Sequence, residues 1–229
     1  MCSRLFFPVA ALGLGACQLA TARAETVPRP QDSGLLPTAT RALVLQFEDT
    51  EGPSLAEVAR ELEQVTGLHL VTDDPTRVRL EQTATGLSGS VEVPPQDVYP
   101  FAEGLLWAAG FVLRPIHAGD TPLLLLSANG RAGGSSERSA VFVEASQVRA
   151  FAARHPALVV QTVVDVRPLD ARQASTSLRG LASDTNTQAI LAVSESSLIL
   201  KGTGRFLLEV LSSLDGVVAI AREPRTDDR

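Results

Sequence analysis

Three histidines, His69, His117 and His155, are the side chains whose ordinary pKa suits metal ligation or proton transfer near neutral pH. No two of them stand in an HxH or HxxxH spacing, so neither a strand nor a helix would bring a pair to one ion. Each reads as an ordinary surface or core residue. Asp73-Asp74, beside Pro75, is an adjacent carboxylate pair, but neighbouring positions on a turn do not aim at one substrate atom, and turn chemistry accounts for them. Lys201-Gly202-Thr203-Gly204 precedes a helical stretch, where a phosphate cradle would stand. The lysine lies on the wrong side of the glycines, and the full G-x-x-x-x-G-K pattern followed by Ser or Thr is absent, so a strand-to-helix turn is the better reading. Cys2 and Cys17 are the two cysteines, which leaves the rest of the chain without a thiolate nucleophile, a cysteine metal site or a disulfide framework. Trp107 sits among apolar residues and reads as core. The expectation is a protein without catalysis, metal or other cofactor.

Charge and the first residues bound the setting. Residues 1–24 read as a secretory signal: Arg4 gives a positive start, and residues 5–16 (LFFPVAALGLGA) form an apolar stretch too short to span a bilayer. Two cleavage signals overlap there. Ala22-Arg23-Ala24 suits ordinary signal peptidase and a chain beginning at Glu25. Leu14-Gly15-Ala16-Cys17 resembles a bacterial lipobox, in which Cys17 would carry the lipid. The two alternatives imply a free or a lipid-anchored protein, exported to the periplasm or the outer membrane in either case. Of the 20 basic residues, 18 remain without Arg4 and Arg23, against 26 acidic ones, so the remainder is distinctly acidic. Nucleic acid is thereby disfavoured as a partner, because phosphate binding needs clustered positive charge.

The elements that would position any site fall into two segments. Residues 25–40, rich in Pro and polar residues, read as a tether, residues 130–140 as a Gly/Ser-rich linker, and residues 222–229 as a charged, frayed tail. In the first segment, 41–129, strands are expected at 41–47, 68–71, 77–80, 87–93, 111–116 and 123–127. Helices are expected after Ser54, with Leu55, Val58, Leu62 and Val65 inward and Gly67 as C-cap, and over 96–109. The order is β-α-β-β-β-α-β-β. In the second segment, 141–221, a short strand at 141–143 and a brief helix over 146–153 precede a strand at 159–166. A helix capped by Asp170 and reaching Ala182 follows, then a hairpin of 189–193 with 198–200, and a last helix stopping at Asp215-Gly216. Its core order is β-α-β-β-α, with a final strand at 217–220. The fold class expected is α+β, built as two small α/β modules.

Certain strings in these segments are similar to a known family. The helix leading into Val65-Thr66-Gly67-Leu68-His69-Leu70-Val71, and residues 101–112 (FAEGLLWAAGFV), resemble the N-zero domain of secretins, the outer-membrane channels of type II secretion and type IV pilus systems, a domain shared with the signalling domain of some TonB-dependent receptors. Residues 163–169 (VVDVRPL), Leu178-Arg179, the run Ser196-Ser197-Leu198-Ile199-Leu200-Lys201-Gly202, and the helix closing on Leu214-Asp215 resemble the secretin N-one domain, which is KH-like in shape. Ser196-Ser197 stands where that family often has asparagine after serine. The resemblance spans about residues 41 to 220 and lacks the pore-forming domain.

What the resemblance implies is a protein–protein interaction module. Its expected partners are a secretin or other secretion or pilus envelope proteins, with self-association through ring-type stacking. Small open sheets also expose strand edges able to accept a partner strand. The candidate in this chain is Leu87, Ser88, Gly89, Ser90, Val91, Glu92 and Val93, which is nearly free of charge. Two alternatives stand beside this reading. One is a periplasmic ligand-binding protein or enzyme using the cleft between the modules, and the other a signalling-domain contact with an inner-membrane regulator.

Overall fold

A computed structural model of the chain describes residues 36–46, 52–117, 121–129 and 139–222. The signal segment, Cys17, most of the tether, most of the linker and all but Arg222 of the tail therefore lie outside the described residues, as does Phe47 of the first expected strand.

The first segment begins with strand β1 (Leu43–Leu45), followed by helix α1 (Leu55–Thr66). Local chemistry sets the limits of α1. Ser54 accepts from the Glu57 amide while the Glu57 carboxylate accepts from the Ser54 amide at 2.7 Å, a reciprocal cap. At the other end Gly67 takes a left-handed conformation (φ 74°) and donates to the Glu63 carbonyl at 2.8 Å. Leu55, Val58, Leu62 and Val65 face the core, as their spacing predicts. Strand β2 (His69–Val71) follows.

Residues 77–80 are helical, contrary to the strand expected from their alternation. They belong to α2 (Asp74–Gln82). Asp73 caps it by accepting from Thr76 N at 2.8 Å, Pro75 occupies its first turn, and the buried side chains are Thr76 and Leu80. That spacing of four belongs to a helix, while Val78 points to water. The expected strand 87–93 shrinks to β3 (Val91–Val93), because Gly86 and Gly89 adopt φ of 69° and 77°, which breaks extended backbone. A 3-10 turn, Pro95–Asp97, leads into α3 (Val98–Ala108), and the antiparallel pair β4 (Phe111–His117) and β5 (Leu123–Ala128) closes the segment. The observed order is thus β-α-β-α-β-α-β-β. β1 pairs antiparallel with β3, Leu43 opposite Val93. β2, β5 and β4 form a three-stranded sheet in that order, with β2 parallel to β5.

In the second segment, β6 (Val141–Phe142), α4 (Val148–Arg154), β7 (Val159–Asp165), α5 (Ala171–Leu178), β8 (Ala189–Ala192), β9 (Ser197–Thr203) and α6 (Gly204–Arg222) follow in turn. From β7 onward this is the expected β-α-β-β-α. The strands form one sheet in the order β6-β7-β9-β8. No final strand forms at 217–220: α6 runs on through Asp215-Gly216. Arg149 holds that turn in place, donating to the Leu211 carbonyl at 3.0 Å and to the Asp215 carboxylate at 2.5 Å. The α5 helix ends in a 3-10 turn, Arg179–Leu181. The fold is therefore mixed α/β, with buried residues of both segments in one hydrophobic cluster.

Candidate protein-interaction surface

Strand alternation sorts the four-stranded sheet into two faces. Val160, Thr162 and Val164 of β7 are buried, as are Leu198 and Leu200 of β9 and Ile190 of β8, and helices α5 and α6 pack there. The register then fixes the other face. Val163 lies opposite Ile199, which lies opposite Leu191, an apolar row crossing three strands. The next row is Phe142, Gln161, Lys201 and Ala189. Phe142 is 59% and Leu191 50% exposed, and Val193 just beyond β8 is 53% exposed. One end of this outer face closes, since Val159 and Thr203 share its parity but are buried. Asp165 sits on the same face at the far end of β7, its carboxyl held below the usual range by hydrogen bonds from the Arg167 guanidinium and amide. The arrangement offers an apolar stripe bordered by charge.

The strand edges differ in how open they are. Leu70 N, which points away from β5, donates to the Glu63 carboxylate at 2.6 Å, so the β2 edge is capped by its own chain. On β8, Val193 N donates to Ser197 O, and antiparallel alternation therefore turns the polar groups of Ile190 and Ala192 outward. Ser175 Oγ satisfies the Ile190 carbonyl at 3.0 Å. The Val91, Glu92 and Val93 stretch has β1 on one side and no strand neighbour among the described residues on the other. Ser88, Gly89 and Ser90 are exposed, Leu87 is half-buried, and none of the four is in a strand.

Other sequence candidates are dispersed. His69 lies exposed in β2 and His117 exposed at the end of β4, while His155 is buried at the C-cap of α4. Among the described residues no group of three His, Cys, Asp or Glu could hold a metal ion. Lys201-Gly202-Thr203 ends β9 and Gly204 opens α6, the strand-to-helix turn expected. A groove of about 170 Å³ between α5 and α6 is lined by Leu169, Ala174, Leu178, Leu214 and Val217. It is smaller than the roughly 300–1,000 Å³ of ordinary small-molecule sites, and the carboxylate at its rim, Asp170, is already engaged as the cap of α5.

The residue that sequence reasoning missed is Glu103. Its side chain is fully buried in α3, and its hydrogen-bond partners are His155, Ala157 and Leu158 of the second segment. Leu113 adds a parallel bridge to Leu158, and Leu113 N donates to Ala157 O at 2.9 Å. Trp107, expected in the core, is instead 40% exposed at this joint, with the Arg205 guanidinium 5.7 Å from its ring centre. It stands one turn from Glu103 and so faces the other segment.

Tyr99 lies one turn before Glu103, its hydroxyl donating to Pro37 O at 2.7 Å. Burial, and secondarily the Glu103 carboxylate, pushes this phenol well above its usual range. The unfolded chain then releases the proton from about pH 10 while the folded chain keeps it, so stability falls as pH rises through and beyond 10. As the chain has a single tyrosine, the near-ultraviolet absorbance change that accompanies phenolate formation follows this group alone. Tyr99→Phe should flatten the alkaline fall in urea stability; an equal slope in both proteins would contradict the assignment.

No family model matches the chain, and no curated protein matches it. Solved structures do. The chain is similar to the outer membrane complex of the Klebsiella pneumoniae type II secretion system with PulD, PulS and the PulC HR domain, at 16% identity and a TM-score of 0.48, covering 75% of this chain and 26% of that one. It is also similar to the GspC–GspD complex of enterotoxigenic Escherichia coli, at 14% identity and a TM-score of 0.26, over 78% of this chain and 99% of that one. A third likeness is to the N-terminal domain of the secretin XcpQ from Pseudomonas aeruginosa, at 13% identity and a TM-score of 0.25, over 78% and 64%. The chain thus spans about a quarter of the first of these. No helix among the described residues is long and apolar enough to cross a membrane.

Proposed function

We propose that this chain is an exported, non-catalytic protein–protein interaction module of a secretion or pilus-type envelope assembly. The observation that carries the reading is the water-facing apolar row Val163, Ile199 and Leu191, flanked by Phe142, on a sheet whose other face is fully packed. Contiguous apolar surface of this kind, rimmed by polar groups, marks a protein interface. The secretin-like strings in both segments supply the class of partner, a secretin or a component that docks with one. Two modules, 41–129 and 141–221, with the 130–140 linker between them, form the unit. The open side of β3, within Leu87 to Val93, serves as a second contact by strand addition. Residues 1–24 direct export, with lipidation at Cys17 or cleavage after Ala24 deciding attachment. The alternative of a ligand cleft between the modules finds no support at the joint, where Glu103, Leu113, Ala157 and Leu158 pack together without exposed surface.

The test is a paired substitution. Leu191→Asp with Val163→Asp adds two charges to an already solvated face, so far-UV dichroism should be unchanged and stability altered by no more than about 1 kcal/mol. Recovery of a secretion or pilus component with the tagged protein from crosslinked envelopes should fall about tenfold, the effect of losing roughly 1.4 kcal/mol of binding. Undiminished recovery would remove the outer sheet face from the account.

A further inference from the structure

Glu103 invites a question that packing does not answer. A buried carboxylate is costly to desolvate, and an apolar residue of similar volume commonly serves stability as well or better. Glu103 lies on the apolar stripe of α3, between Ala102 and Leu106, both fully buried. A leucine there would fit the helix's own pattern.

What a carboxylate adds is direction. Oε1 lies 2.8 Å from His155 Nδ1, and Oε2 accepts from the backbone N–H of Ala157 at 3.1 Å and of Leu158 at 3.2 Å. Two of the three donors are main chain, so the turn between α4 and β7 is fixed in space relative to α3. The His155 ring is itself wedged between Tyr99 and Phe151, with ring centroids 4.9 and 4.7 Å away. One aromatic comes from each segment. The sequence joining the segments, residues 130–138 (GRAGGSSER), contains no apolar side chain larger than alanine.

We propose that Glu103 is a latch that sets the mutual orientation of the two modules. With it they move as one body, and the β3 edge of the first and the outer sheet face of the second are presented at a fixed angle. Without it each module keeps its fold, and their orientation is less sharply fixed, held only by the Leu113–Ala157 backbone hydrogen bond and the apolar and Trp107–Arg205 contacts that remain. This holds whatever the partner is.

The latch is tested by electron–electron spin distance measurements on the full chain with Cys2 and Cys17 replaced by serine and labels at Arg60→Cys and Ser212→Cys. These positions are exposed on α1 and α6, one in each segment. With Glu103 present the distance distribution should be narrow. Glu103→Ala should broaden it by about twofold or more, with far-UV dichroism retained, since freed modules default to relative motion. Glu103→Gln, which keeps one acceptor oxygen for the two backbone donors, should restore much of the narrow peak. An unchanged width in folded Glu103→Ala would overturn the proposal. So would cooperative loss of the whole fold in that variant, because modules that cannot fold apart have no latch between them.

Discussion

Gly204→Ala should destabilise the protein by about 3 kcal/mol or more, against the usual gain from removing a glycine from a helix. Gly204 opens α6 where it crosses the end of α4. A Cβ there would lie 2.2 Å from the His155 carbonyl oxygen and 2.6 Å from that of Ala152. Both obstacles are backbone, so no rotamer change relieves the clash. Either α4 or the start of α6 must shift, and the shift strains the hydrogen bonds from Gly204 N to Leu158 O (3.0 Å) and from Arg205 N to Pro156 O (3.1 Å). These same residues adjoin the donors that hold Glu103, so the damage reaches the joint. Urea unfolding at constant m-value measures the effect. A loss under about 1 kcal/mol would mean that the helices approach less closely than described.

Phe111→Ala should cost a comparable 3–5 kcal/mol through the second mechanism, a cavity in the core. Among the described residues Phe111 is the bulkiest fully buried side chain, and it begins β4, which packs against α3. The Arg79 guanidinium lies over its ring at 4.9 Å while donating to the Ala109 carbonyl at 2.8 Å, which ties α2 to the turn before β4. The cation contributes roughly 0.5–1 kcal/mol at this exposed position. Arg79→Ala should therefore be mild alone and add little in the Phe111→Ala background. A double-mutant cycle reads that coupling, and a Phe111→Ala loss below about 1.5 kcal/mol would place the ring nearer the surface.

The sequence was legible where local chemistry and periodicity agreed. Ser54, Glu57 and Gly67 bound α1 on their own, and Asp170 caps α5 as its position implies. The stretch 77–80 misled because four alternating residues suit either period. The deciding signals were Asp73 as a cap and Pro75 in the first turn, both visible but read as a turn. The last helix runs past Asp215-Gly216, and Asp215 there pairs with Arg149, a contact no local pattern reveals. The outer face of the second sheet was half visible. Strand alternation marks which side chains point out, but only the register places Val163, Ile199 and Leu191 in one row. Glu103 escaped notice because a glutamate in a helix is ordinarily solvated. Its one sequence signal was its place on the apolar stripe, a turn after Tyr99 and a turn before Leu106. Its partners lie about fifty residues away, beyond the reach of any local reading.

Photocrosslinking in intact cells from a benzophenone side chain at Leu191 tests the central claim most directly, with a second probe at exposed Glu81 on α2 as the comparison. The Leu191 probe should capture a defined secretion or pilus envelope protein, identified by mass spectrometry, and the Glu81 probe should not. A correctly exported, folded protein that yields no such adduct from Leu191, or yields it equally from Glu81, would contradict the account.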